Sequence, residues 1–218
     1  MRTIFPIISL LMAIFLSVSC STTRVLQDDE YRLAKNRIVV ENDKEFNPNQ
    51  LNKYLKQNKG LGWSPFLYVY NWTNGRGKGW DKLVQKVGKA PVVYDAEQVD
   101  KSISNIEDHL EYIGYYGSTV GSEIKVSKKT VKVVYKVVLG KRYPIEEITL
   151  DLPERGEFRE AFLKDTSSFT VRKGDYLSEQ SLEAETERLA ALIRNEGFYD
   201  FSKNNFFFEA DTLSWPDS

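Results

Sequence analysis

The spacing of apolar residues predicts two long amphipathic helices. Over residues 95–117, apolar side chains recur at alternating steps of four and three residues, which places them on one face of a helix. The same pattern returns 83 positions later, over residues 178–200. Both segments begin with a residue suited to the N-cap and end at a glycine followed by two aromatic residues. The matched positions are Asp95 and Ser178, Val99 and Leu182, Ile106 and Leu189, Leu110 and Ile193, and Gly114 and Gly197.

Alternating apolar and polar residues predict strands around these helices. Each long helix should be preceded by a strand and a short helix and followed by a hairpin. We therefore expect an α+β fold made of two tandem strand–helix–helix–strand–strand units, each a three-stranded sheet covered by two helices. The strands predicted from the pattern are 36–42, 119–127, 130–140 and 146–153, and the short helices are 46–60 and 156–165. Shifting the first hairpin by the repeat of 83 residues places the second hairpin near 202–210 and 213–223.

The second predicted unit lacks its last strand in the sequence given. That strand would extend past Ser218, and Pro216 cannot serve an interior strand. We therefore expect this chain to be the N-terminal part of a longer protein, or a truncated product. The expected organisation is a lipoprotein signal peptide at 1–19, a tether at 20–35, a first unit at 36–140 with an aromatic insert at 60–94, and a truncated second unit at 141–218.

The N-terminus has the features of a secretory signal. Arg2 is followed by an apolar run from Ile4 to Val18, which is too short for a comfortable membrane crossing. Cys20, the one cysteine of the chain, comes directly after this run. A cysteine in that place resembles the acylated first residue of mature bacterial lipoproteins, which carries fatty acyl chains such as palmitate. The alternative is an ordinary signal cleavage nearby that leaves a free thiol.

The insert at 60–94 is unusually aromatic and is expected to be irregular. Three of the four tryptophans of the chain lie within it. These residues either pack the insert onto its own domain or form a docking surface for a partner or a membrane interface. The candidate contact residues are Trp63, Phe66, Tyr68, Tyr70, Trp72 and Trp80.

Neither the composition nor the motifs of the chain indicate an enzyme. The net charge of −1 gives no general attraction to nucleic acid, so none is expected as a partner. A single cysteine and a single histidine, His109, do not complete a catalytic triad or a cysteine-based metal site. The glycine-rich stretch at 74–80 lacks the lysine–serine/threonine ending of a phosphate loop. We expect no catalytic, cofactor-binding or metal-binding residues.

The predicted unit, with glycine and two aromatics after its second helix, resembles a POTRA domain of the Omp85 superfamily. Further motifs, in this order along the chain, resemble the TamL-like lipoproteins of Bacteroidota within that superfamily. They are "CSTTRVLQDDEYRLAKNRI", "LYVYNWTN", "KVGKAPVVYD" and "NEGFYDFSKNNFFFEADT". The chain departs from that family in having no barrel-forming sequence after its POTRA-like part.

The resemblance implies a role in outer-membrane protein assembly or translocation. It implies POTRA units in the periplasm, a lipid anchor at Cys20 in the outer membrane, and binding to a TamB-like periplasmic protein or to client outer-membrane proteins. Ser21 and Arg24 leave the start of the tether without acidic residues, which favours the periplasmic side of that membrane. The alternative is a free-standing periplasmic lipoprotein with an enzymatic or cell-wall-related role.

Overall fold

A computed structural model of the chain describes residues 22–57, 65–73, 79–164 and 169–210. Within them the chain divides into two compact units. The first takes in residues up to 106 together with 120–137, and the second takes in 107–119 together with the chain from 138 onward. Cys20, Trp63 and the predicted strand beginning at 213 lie outside the described residues.

One three-stranded sheet has the order β1-β3-β2. Its strands are β1 (Arg32–Val40), β2 (Thr119–Ser127) and β3 (Thr130–Val138). β1 and β3 are parallel, with Ile38 opposite Tyr135. Side chains along β3 alternate between buried and outward positions, so one face of the sheet belongs to the core. The predicted hairpin is confirmed, but β1 begins four residues earlier than predicted.

Between β1 and β2, the described residues include four helical segments. The short helix predicted at 46–60 is a 3-10 helix over Pro48–Tyr54; the side chain of Asn47 accepts a hydrogen bond from the Asn49 amide at its start. The expectation of irregular structure across 61–94 is wrong, because α1 (Pro65–Tyr70) and α2 (Gly79–Val87) lie there. Leu67 of α1 and Val84 of α2 are buried, which gives both short helices an apolar side to pack.

The first long helix, α3, runs over Ala96–Tyr112, as predicted. The Asp95 carboxylate accepts the Glu97 amide at 2.9 Å, which satisfies one of the unpaired donors at the helix start. Val99 and Ile106 are buried. Ser102, also buried, donates to the Gln98 carbonyl at 2.6 Å and accepts the Lys56 amide at 2.9 Å, so it ties α3 to the chain after the 3-10 helix.

Both helices predicted for the second unit are present, as α4 (Glu157–Leu163) and α5 (Glu179–Asn195). Ser178 caps α5 by accepting the Ser181 amide at 3.2 Å. The core of this unit is aromatic. Phe158 lies between Phe198 and Phe201, with ring centroids 5.5 and 5.2 Å away. The residues around it are Phe162, Phe169, Leu189, Ile193 and Phe206.

A buried carboxylate also holds the second unit together. Glu185 of α5 accepts hydrogen bonds from the Thr170 hydroxyl and amide, and Arg188 lies 2.8 Å from it. Burial opposes ionisation of Glu185, but the contacts with Arg188 and Thr170 outweigh it and lower the pKa of this carboxyl group. We refer to these three residues as the Glu185 network.

The strands predicted at 146–153 and 202–210 are wrong. Residues 146–153 form no strand, and Ile148 and Leu150, whose alternation suggested one, are both exposed, at 43% and 41%. Residues 203–205 form a 3-10 helix, and residues 206–210 form no strand. A strand requires a neighbour that pairs its backbone, and no described residue of this unit supplies one to either segment.

Candidate partner-binding surfaces

The aromatic insert is a pair of short helices packed closely together. Gly88, just beyond α2, lies against the end of α1: a Cβ atom placed there would be 2.6 Å from the Cα atom of Tyr70. The Lys89 amide donates to the Phe66 carbonyl at 3.0 Å. Because the neighbouring atoms are backbone, the approach requires glycine. This close contact makes α1 and α2 one packed element.

The aromatic side chains of the insert divide between packing and exposure. Phe66 and Trp72 are about half exposed, at 49% and 50%, while Tyr68 and Tyr70 are partly buried. Trp80 is the second residue of α2, but its side chain, like the whole of Trp63, lies outside the described residues. The described side chains therefore include both packed and exposed aromatic residues, and partner contact by the exposed ones stays a prediction.

Two exposed apolar residues of the insert were not among the predicted contact residues. Leu83 and Val87 of α2 are each 52% exposed. They are four residues apart and therefore share one side of the helix. That spacing is visible in the sequence and could have revealed α2 itself. We call Phe66, Trp72, Leu83 and Val87 together the insert face.

The chain before β1 is bound to the first unit. The Val25 amide donates to the side chain of Asn71 at 3.3 Å, and Asn71, which is buried, donates in turn to the Leu67 carbonyl at 2.8 Å. Lys129, in the β2–β3 turn, donates to the Gln27 and Asp28 carbonyls, both at 2.6 Å. The predicted tether thus makes specific contacts from Val25 onward.

The outer edge of β2 is the open edge of the sheet. β2 has one strand neighbour, β3, and no strand in the described part of the chain pairs with its other side. The opposite edge of the sheet, at β1, is partly covered: the Leu33 amide donates to Val92 at 2.8 Å, and the Tyr94 amide donates to Tyr31 at 2.7 Å. An exposed strand edge offers backbone donors and acceptors to an incoming extended peptide.

Charged residues lie on this open strand. Glu123 is 3.0 Å from Lys125 and 3.2 Å from Lys136 of β3. Hydrogen bonds from both lysines lower the pKa of Glu123. Ile124 and Val126 lie on the other face of β2 and are also exposed. The edge therefore combines apolar and paired charged side chains, and the charges discourage unspecific association.

The described residues contain no group of three or more acidic, histidine or cysteine side chains arranged to hold a metal ion. A groove in the second unit lies beside Lys203. The ammonium group of this residue contacts Glu183 at 2.8 Å and Glu187 at 3.0 Å, so its charge is already paired within the unit. His109 is partly buried, 6.4 Å from the Tyr112 ring. No helix among these residues is long and apolar enough to cross a membrane.

The first unit is an α+β domain, in which helices cover one face of a mixed three-stranded sheet. Residues 35–140 match the family model of POTRA, described as a surface antigen variable number repeat. This segment, just under half of the chain, is therefore similar to POTRA domains in sequence, and its α+β fold agrees with that match.

Other comparisons add little to this assignment. No curated protein matches the chain. A crystal structure of POTRA domains 3–5 of BamA from Haemophilus influenzae is similar at 14% identity, with a TM-score of 0.35. The similarity covers 78% of this chain and 52% of that one, so this chain spans about half the length of that structure. A likeness this distant carries no argument beyond the family match.

Proposed function

We propose that this chain is the POTRA region of an outer-membrane protein assembly or translocation factor, and that it binds polypeptides without catalysing a reaction. The observation that carries the proposal is the open edge of β2 within a segment that matches the POTRA family. POTRA domains are non-catalytic scaffolds. An extended segment of a client or partner protein would add a fourth strand beside β2 through backbone hydrogen bonds.

Crosslinking in living cells tests this binding mode. A photoreactive amino acid replaces Ser122, an exposed residue of β2, in the natural protein. The matched control carries it at Ser104, an exposed residue of α3 in the same unit. We expect protein adducts at Ser122 and few at Ser104. Equal yields at the two positions would contradict binding at the strand edge.

The particular protein that we propose is a TamL-like lipoprotein of Bacteroidota. Its motifs support this assignment, and the Cys20 position after an apolar leader supports the anchor. Several acyl chains on one residue would provide stable attachment to the outer membrane. In this proposal the POTRA units face the periplasm and bind a TamB-like protein or client outer-membrane proteins.

The anchor and its orientation have separate tests. Cells fed a clickable fatty acid should label the natural protein and not the Cys20→Ala variant. Equal labelling of the two proteins would rule out this acylation site. External protease should leave the protein intact in whole cells and cleave it after the outer membrane is opened. Cleavage in intact cells would place the chain on the cell surface instead.

A further inference from the structure

The insert face consists of four exposed apolar side chains carried by one packed element of the first unit. Its four residues come from α1, α2 and the turn after α1, and each is about half exposed. The close packing of α1 on α2 at Gly88 holds these elements together. An exposed group of large apolar side chains of this kind commonly marks a binding surface.

Basic residues accompany this face. Lys82, Lys86 and Lys89 are exposed, whereas Asp81, the one acidic residue of the insert, is buried. Over residues 60–92 the sequence has five basic residues and one acidic residue, a net charge of +4 in a chain of net charge −1. Apolar side chains flanked by lysines are typical of helices that lie in the headgroup region of an anionic membrane.

The length of chain between Cys20 and the insert is short. Val25, whose amide is bound by Asn71, is five residues after Cys20, so at most about 18 Å of extended chain separates the two Cα atoms. Trp72 directly follows Asn71. Lys129 holds the next residues of this segment, so the insert cannot move away from the start of the chain without breaking these contacts.

We propose that the insert face lies in the headgroup layer of the membrane that holds the acylated Cys20. This inference rests on the lipid anchor of the proposed function. The anchor brings the face to the bilayer, the apolar side chains enter the interface, and the three lysines contact anionic headgroups. The first unit is then held against the membrane rather than suspended from a flexible tether, and the open edge of β2 is presented in a restricted orientation.

Fluorescence quenching on the acylated natural protein tests this placement. The protein is reconstituted in protein-free vesicles of phosphatidylethanolamine and phosphatidylglycerol, with an environment-sensitive fluorophore on a cysteine introduced by Leu83→Cys. The matched control is Val126→Cys, an equally exposed apolar position on β2. We expect nitroxide-labelled lipids to quench the label at residue 83 about threefold more than that at 126. The substitutions Lys82→Glu and Lys86→Glu should remove the difference.

The outcomes separate this inference from the anchor on which it rests. If the protein floats with the vesicles but both labels are quenched equally, the anchor holds and membrane placement of the insert is refuted. If residue 83 becomes shielded only in native membranes that contain other proteins, a protein partner covers the face and the inference is also refuted. If the protein does not float and Cys20 has no added acyl mass, the anchor itself fails, and the inference fails with it.

Discussion

Gly88 provides a sharp test of how the insert is built. In Gly88→Ala the new methyl group would lie 2.6 Å from the N and Cα atoms of Tyr70 and 2.7 Å from its Cβ atom. Carbon atoms pack at about 3.5–4.0 Å, so the ends of α1 and α2 must separate by roughly 1 Å. Two of these atoms belong to the backbone and cannot rotate aside. Overpacking of this kind costs about 1–3 kcal/mol.

The same helix offers a matched control. At Gly79, the first residue of α2, a Cβ atom would have no neighbour within 4 Å, so Gly79→Ala adds a methyl group in open space. Alanine also favours a helix over glycine by up to about 1 kcal/mol. We therefore expect Gly79→Ala to be neutral or slightly stabilising while Gly88→Ala is destabilising.

Amide hydrogen exchange measures this difference locally. The Lys89 amide donates to the Phe66 carbonyl across the contact, so its exchange reports opening of the contact, while the Gly88 amide donates to Val84 and reports fraying of the end of α2. A loss of about 2 kcal/mol should speed exchange of the Lys89 amide roughly 30-fold in Gly88→Ala. Equal exchange rates in the two alanine variants would refute the close packing of α1 on α2, and with it the insert face as a fixed surface.

Three further predictions concern the helix ends, a buried carboxylate and a buried hydroxyl. Gly114 and Gly197 have φ of +92° and +103°, so alanine at either should lower the stability measured by thermal unfolding by about 1–2 kcal/mol. Gly114→Ala should cost more than Gly197→Ala, because its Cβ would lie 2.4 Å from the Leu177 carbonyl oxygen; equal costs would contradict this. Folding lowers the pKa of Glu185, so the ionised carboxylate stabilises the folded state. We expect this stabilisation in full above the unfolded carboxyl pKa of about 4.3, and its loss as pH falls through the folded-state pKa. An acid-unfolding midpoint unchanged in Glu185→Gln would refute that role. Ser102→Ala should cost about 1 kcal/mol in chemical denaturation by removing the hydrogen bond to the part-buried Lys56 amide, and a neutral result would contradict the contact.

The local features of the two long helices followed from the sequence alone. Asp95 and Ser178 cap α3 and α5, and Gly114 and Gly197 have positive φ at their ends. Such features depend on the residue and its near neighbours in sequence, because a cap or a left-handed turn is completed within a few residues. The β2–β3 hairpin has the same local origin.

The second unit shows where local pattern is insufficient. Its segment around Ile148 alternates as a strand does, but strand formation depends on a backbone partner elsewhere in the chain. The repeat of 83 residues predicts a strand at Phe206, but this residue packs into an aromatic cluster instead. A repeated pattern shows where a strand could form, and its backbone partner decides whether it does.

The candidate surfaces divide in the same way. The aromatic residues of the insert and the position of Cys20 are readable from the sequence. Tertiary structure decided that Asn71 and Lys129 bind the chain after Cys20, because those contacts join residues 46 and about 100 positions apart. It also decided that β2 is the open edge, since β1 pairs with β3 through residues about 100 positions apart, and no single strand's sequence specifies that pairing.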